Sequence, residues 1–118
     1  MAHIFFNGSG GNNASSDSES VPQNRFLGVT NMTDRVVNIT LTTSGTLTDN
    51  ADETYNNLSD VVVSLTGTSV ELRMPAGSSY FLHNQSGGTV EVDIAANAAT
   101  FPHTTVGLLD QRIGFWVV

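Results

Sequence analysis

The sequence predicts an all-β protein, an antiparallel β-sandwich of jelly-roll-like or immunoglobulin-like type with an extended N-terminal arm. Three observations lead to this fold class. Most of the polarity comes from Ser, Thr, Asn and Gly, and charged residues form only 13% of the chain. Thr and Val suit half-buried strands, whereas Asn and Gly suit tight turns. Apolar and polar residues alternate with a period of two, and short turn signals separate the alternating runs.

The strands are predicted from those alternating runs, and a small barrel stays open as an alternative architecture. The clearest runs cover 37–42, 61–65, 70–74, 90–94 and 113–117, with further strand candidates at 26–29, 80–83 and 106–109. Turn signals lie at 44–45, 66–68, 75–77 and 86–88. Residues 48–58 read as one long polar loop. About eight short strands at this spacing favour two packed sheets, and no internal sequence repeat is evident.

The N-terminal part differs in composition from the rest, which predicts an arm and linker over 1–24 and a β-sandwich domain over 25–118. Ile4, Phe5 and Phe6 form an apolar tip, and residues 7–24 have the composition of a flexible coil. An extended apolar peptide can add as a strand to a sheet edge, so these three residues are predicted to bind a partner. The same domain, a sister subunit and another protein are all open as the landing site, and the tip can also be the domain's own first strand.

Charge and cysteine content exclude several classes of function. The chain has no Lys, and its four arginines stand against eleven acidic residues, for a net charge of −7. The arginines are scattered, so neither nucleic acid nor an anionic membrane is an expected partner. No cysteine is present, which excludes a disulfide framework and thiol chemistry. The N-terminal residues lack the features of a signal peptide, so synthesis in the cytoplasm is expected.

No catalytic or metal-binding constellation is evident, and we expect neither an enzyme nor a cofactor. A nucleophile beside a base is not recognisable, because the three histidines, His3, His83 and His103, are isolated in the sequence. His83 is interpreted as a surface or interface histidine. Asp49 and the nearby Asp52 form an acidic cluster with Glu53, for which a solvated loop is favoured over a calcium site.

Two aromatic residues are candidates for an interface or a ligand. Tyr80 and Trp116 can each stack on a sugar ring, although packing in the core or at a subunit contact is at least as good an interpretation. Six N-x-S/T triplets are interpreted as chance occurrences without modification, at Asn7, Asn13, Asn31, Asn38, Asn57 and Asn84.

Residues 75–94, with the sequence PAGSSYFLHNQSGGTVEVDI, resemble a recurring segment of bacteriophage virion proteins in which a strand turns through Gly-Gly into a Val-rich strand. The whole chain is also similar to small capsid decoration (cement) proteins and to tail-fibre modules, which are lysine-poor, cysteine-free β-domains. The resemblance implies a virion structural protein, typically a trimer, and assigns no functional residue.

The expected function is therefore that of a phage capsid decoration protein. Such a protein binds the shell of the major capsid protein and stabilises it by burying surface across many copies. It would be made in the host cytoplasm and displayed on the virion. The alternative from another class is a receptor-binding or carbohydrate-binding module of a tail fibre or adaptor, and a small jelly-roll enzyme is the third hypothesis.

Overall fold

The chain is described by a computed structural model over residues 2–5, 14–49, 61–98 and 112–118. Within these ranges it contains ten β-strands and no helix. The strands are β1 (Ala2–Phe5), β2 (Ala14–Val21), β3 (Phe26–Asn31), β4 (Val37–Thr43), β5 (Thr48–Asp49), β6 (Val62–Thr66), β7 (Ser69–Met74), β8 (Ser79–His83), β9 (Val90–Ala98) and β10 (Arg112–Val117).

The strands form two antiparallel sheets, which confirms the all-β prediction. The first sheet has the order β1-β10-β3-β8-β5, and the second has the order β2-β9-β4-β7-β6. Four pairs are nested along the chain: β1 with β10, β2 with β9, β3 with β8, and β4 with β7. The two strands between β4 and β7 extend the edges, since β5 joins the first sheet and β6 joins the second.

One hydrophobic core receives side chains from both sheets. The period-two alternation places the apolar residues of β4, β7 and β9 inside, as predicted, because successive strand residues point to opposite faces. The strand β6 keeps the alternation but buries its inner side less, since Leu65 is 43% exposed whereas Val63 packs against the core. It is the outermost strand of its sheet, so less structure covers its inner face. The largest fully buried side chains include Phe115, Leu27, Ile39, Leu41, Leu72, Met74, Leu82, Ile94 and Ile113.

The prediction of a flexible linker over 7–24 is wrong for residues 14–24. Residues 14–21 form β2, which pairs with β9 along its whole length. Main-chain hydrogen bonds need no apolar side chains, so a serine-rich segment can be an edge strand when its neighbour is already in place. Asp17 and Glu19 lie opposite the buried Ile94 and Val92, and charged residues on the inner side are a known protection of sheet edges. Residues 7–13 lie outside the described ranges.

The N-terminal tip forms a strand of its own domain. In β1, Ile4 lies opposite Ile113 and Phe5 lies opposite Arg112 of β10. This is the alternative in which the tip is the first strand of its own domain. Phe6 lies outside the described residues, and binding of the tip to a partner stays a prediction.

The two halves of the domain repeat each other, although the sequence analysis found no repeat. Asn31 is the last residue of β3, Asn84 directly follows β8, and the two lie 53 positions apart (84 − 31). Asn24 and Gly77, at the same separation, both adopt a positive φ. Each donates its main-chain N–H to the other half, to the carbonyl of Asn84 and of Asn31 respectively, at 2.9 Å in both cases. The equivalent positions include Val21 and Met74, Pro22 and Pro75, Leu27 and Tyr80, Val37 and Val90, and Leu41 and Ile94.

A buried asparagine organises each equivalent corner between the sheets. Nδ2 of Asn31 donates to the carbonyl oxygens of Arg35 and Met74 at 2.8 and 2.9 Å, and to that of Pro75 at 3.1 Å. Its Oδ1 accepts hydrogen bonds from N–H and Oγ1–H of Thr33, at 3.0 and 2.7 Å. Both side chains are buried, so this N-x-T triplet has a structural role that the sequence interpretation did not assign.

Candidate functional site

The outer side of the first sheet carries a cluster of aromatic side chains. We call it the aromatic face and define it by Phe26, Phe81, His83 and Trp116, all of which are partly exposed. Strand register brings them together, because Phe26 lies opposite His83, and Gly28 lies between Phe81 and Trp116. Residues directly opposite one another share a face of a sheet, so four rings from three strands form one surface.

Trp116 lies flat on the sheet because the residue beneath it is a glycine. A Cβ added to Gly28 would come 2.5 Å from Cε2 of the indole and 2.9 Å from Cδ2. Any other residue at this position would therefore displace the ring. Phe81 flanks the indole edge-to-face, with ring centroids 5.6 Å apart and an interplanar angle of 88°. This geometry is a favourable one for aromatic pairs and fixes the orientation of both rings.

The second half of the aromatic face is a stacked pair. The rings of Phe26 and His83 are 4.4 Å apart at an interplanar angle of 14°. Thr30 and Ser79 lie opposite each other, on the far side of Gly28 from Phe26. Their hydroxyl groups are within hydrogen-bond distance of each other, at 3.0 Å. The rings can stack on a bound surface or pack against it, and the hydroxyl groups can form hydrogen bonds with it.

The outer side of the second sheet is different in character. Outward-facing positions of β7 and β9 carry the carboxylates of Glu71, Glu91 and Asp93, and Ser20 donates a hydrogen bond of 2.6 Å to Glu91. An open cavity of about 380 Å³ lies over β4, β6 and β7. Its lining mixes polar and charged side chains with valine: Asn38, Thr40, Val62, Ser64, Glu71 and Arg73.

The structure separates the residues that the sequence nominated for binding. Trp116 lies on the surface, as a ligand or interface residue must. Tyr80 does not, because it is only 6% exposed and belongs to the core, so its proposed contact with a ligand is wrong and the packing alternative holds. The acidic cluster at 49, 52 and 53, like His103, falls where no side chain is described.

Sequence reasoning missed most of the aromatic face. His83 was placed at a surface, but its stacking on Phe26 was not foreseen, and Phe81 was not singled out. A signal was available, since β8 alternates Tyr80 and Leu82 with Phe81 and His83, which puts two rings on the outer side. The outer side of β8 therefore carries aromatic residues where β4, β7 and β9 carry polar ones, and this difference is visible in the sequence.

The described residues hold few features that would suggest chemistry. Across these ranges, no three His, Cys, Asp or Glu side chains are grouped so that they could hold a metal ion. Nor is any helix there long and apolar enough to cross a membrane. Comparisons of the chain with models of protein families, with curated proteins and with solved structures found no match.

Proposed function

We propose that the chain is a jelly-roll β-sandwich that serves as a non-catalytic attachment module. The nested pairing of β1 with β10, β2 with β9, β3 with β8, and β4 with β7 supports this fold, because a jelly roll pairs its strands in this order across two sheets. The shared core of both sheets supports the sandwich. In this arrangement β5 and β6 are an insertion that widens each sheet by one strand.

The attachment target in this proposal is a virion shell, and the module is a phage capsid decoration protein that binds the major capsid protein. The single observation that supports attachment is the contrast between the two outer sides of the sandwich. One side carries hydroxyl groups and carboxylates, and the other carries the aromatic face. Aromatic side chains are enriched at the centre of protein interfaces, where they contribute most of the binding energy.

The remaining parts of the proposal follow from the resemblance to decoration proteins. The protein is made in the host cytoplasm and displayed on the virion, as a trimer of the kind typical of that class. Many copies on one shell turn a modest affinity into a large stabilisation of the particle, because every bound copy favours the assembled state.

Single substitutions on the aromatic face are expected to weaken attachment. Trp116→Ala and Phe81→Ala should each weaken binding to purified capsids about tenfold or more, because central aromatic anchors typically contribute above 1 kcal/mol each. Gly28→Ala is the sharper variant, since it keeps every ring and only lifts the indole from the sheet. Occupancy is measured by quantified gel bands of co-sedimented particles.

Asp93→Asn is the matched control, because Asp93 lies on the outer side of the second sheet. We expect its occupancy to equal that of the unchanged protein. Full occupancy of the shell by the Trp116 and Phe81 variants, with their folding intact by circular dichroism, would refute the aromatic face as the attachment surface.

The N-terminal tip remains part of the proposal as a second contact. Deleting 1–24 would remove β2 from the second sheet, so substitution is the better test. A double Ile4→Ser, Phe5→Ser variant should lower capsid occupancy severalfold if the tip binds a neighbour in the assembly. Occupancy equal to that of the unchanged protein would show that the tip pairs with β10 and makes no contact with a neighbour.

A carbohydrate-binding module is the second candidate, and the flat indole of Trp116 favours it. A ring held parallel to a sheet, with the hydroxyl groups of Thr30 and Ser79 beside it, presents both contacts that a sugar uses. Copy number per particle separates the candidates, since hundreds imply decoration and a few to a few dozen imply a tail. A glycan array without hits argues against this second candidate.

A further inference from the structure

We infer that β6 is a pairing edge for a second copy of this chain. Two copies join through antiparallel β6 strands, so that their second sheets become one continuous sheet across a two-fold axis. This contact is separate from the aromatic face and goes beyond the proposed function.

The edges of the two sheets are not equally protected, and over the described residues β6 is less protected than the edge strands β2 and β5. The edge strand β2 carries Asp17 and Glu19 towards the inner side, and β5 has only two residues. By contrast, the sequence of β6, VVSLT, is five residues long and uncharged. It exposes Val62 to 55% and Leu65 to 43%. An uncharged edge strand with exposed apolar side chains is a template for pairing with another strand.

The turn between β6 and β7 shows which main-chain groups are available. Gly67 and Thr68 link Thr66 to its partner Ser69, and the positive φ of Gly67 fits the first position of a type II′ turn. In a two-residue hairpin the flanking pair exchanges both main-chain hydrogen bonds, and the pattern alternates from there. The N–H and C=O groups of Val63 and Leu65 therefore point away from β7, towards the open edge.

The strand is complementary to itself, which is why the occupant is a second copy. An antiparallel partner centred on Ser64 places Val63 of one copy opposite Leu65 of the other, twice. These are the residues whose main-chain groups face the edge, so each such pair exchanges two hydrogen bonds. The same pairing covers the exposed Leu65 side chain with an apolar neighbour on the inner side.

Charge decides how strong this contact is. Each copy has a net charge of −7, which opposes association, although β6 itself is uncharged. Salt screens repulsion between exposed charges, so the dimer should strengthen as ionic strength rises from about 0.02 M to about 0.5 M. A five-residue edge is small for a stable interface, so we expect a weak, reversible dimer.

Sedimentation equilibrium of the full chain tests the inference. Loading concentrations should reach about 1 mM, the range in which weak contacts are populated. The unchanged protein should approach twice the mass that it has at low concentration, and more so at high salt. Leu65→Pro should weaken the dimer at least tenfold and leave the fold intact, because it removes an N–H that faces the open edge. Leu65→Lys should have the same effect with an unaltered main chain, since a lysine on an edge strand opposes pairing.

Val36→Lys is the matched control, because Val36 is 37% exposed and lies outside β6. This variant should dimerise like the unchanged protein. A mass that does not rise with concentration and salt overturns the inference, as does a rise that is equal in the unchanged protein and in both Leu65 variants. Neither outcome touches the proposed function, which is tested by substitutions on the other sheet.

Discussion

We expect that replacing Asn84 with alanine lowers the free energy of unfolding by about 3 kcal/mol. The side chain is fully buried at the corner between β8 and β9. Its Nδ2 donates to the carbonyl oxygens of Val21 and Gly88, each at 2.9 Å. Its Oδ1 accepts hydrogen bonds from N–H and Oγ–H of Ser86, at 3.0 and 2.6 Å.

The size of this effect follows from the partners that alanine would leave behind. A buried donor or acceptor without a partner costs about 1–3 kcal/mol, and the carbonyl of Val21 lies where water has least access. The other groups at the corner are nearer the surface, since Gly88 is exposed and Ser86 is partly exposed, so water can satisfy them in part. The full cost of one unpaired carbonyl and the partial costs of the other groups add up to the expected loss of stability.

Chemical denaturation monitored by circular dichroism measures this loss. Gln85→Ala is the control, because Gln85 is the exposed residue between Asn84 and Ser86, and it should change stability by less than about 0.5 kcal/mol. Asn84→Asp keeps the size but places a carboxylate against two carbonyl oxygens, so it should be at least as destabilising as alanine. A loss below about 1 kcal/mol for Asn84→Ala would show that the corner is held by its main chain alone.

The equivalent corner at Asn31 explains what the sequence could and could not reveal. Both asparagines begin N-x-S/T triplets, and in both corners the hydroxyl oxygen two positions later also lies within hydrogen-bond distance of the carbonyl oxygen four positions after the asparagine, at 2.9 Å in each case. A triplet of this kind is common in a chain rich in Asn, Ser and Thr, so composition hid its role. The burial of Asn31 and Asn84 distinguishes these two triplets from the one at Asn38, which is exposed.

The strands whose prediction was right are those that bury one side against the core. In β4, β7 and β9 the apolar residues alternate because burial selects them, so the pattern was visible in the sequence. The strand β2 is held mainly by main-chain hydrogen bonds to β9, which any sequence can make. Its serines and carboxylates therefore resembled a linker.

The candidate site was only partly predictable, because it depends on contacts across strands. Trp116 stood out as the single tryptophan, but its flat orientation depends on Gly28, a residue of another strand. The stacking of Phe26 on His83 depends on the register of β3 against β8. Register between strands distant in the chain is set by the whole sheet, so no local pattern could have revealed either contact.

Replacing Phe115 with alanine should destabilise the domain by about 4 kcal/mol, within the range measured for large-to-small changes in protein cores. Phe115 is fully buried and is one of the largest core side chains. It lies in β10, between Ala2 of β1 and Val29 of β3, so its loss leaves a cavity beneath three strands of the first sheet. The surrounding main chain is held by hydrogen bonds on both sides and can close that cavity only in part.

The neighbouring residue provides the sharpest comparison for this prediction. Phe115 and Trp116 are adjacent in β10, but one points into the core and the other lies on the aromatic face. Thermal and chemical denaturation should therefore show a much smaller loss for Trp116→Ala than for Phe115→Ala, whereas capsid binding should fail for Trp116→Ala even where the protein is fully folded. Val118→Ala, at an exposed position two residues after Trp116, should alter neither property. Equal destabilisation by the Phe115 and Trp116 variants would mean that the indole stabilises the fold as much as the Phe115 side chain does. That result would contradict the assignment of the aromatic face as a binding surface.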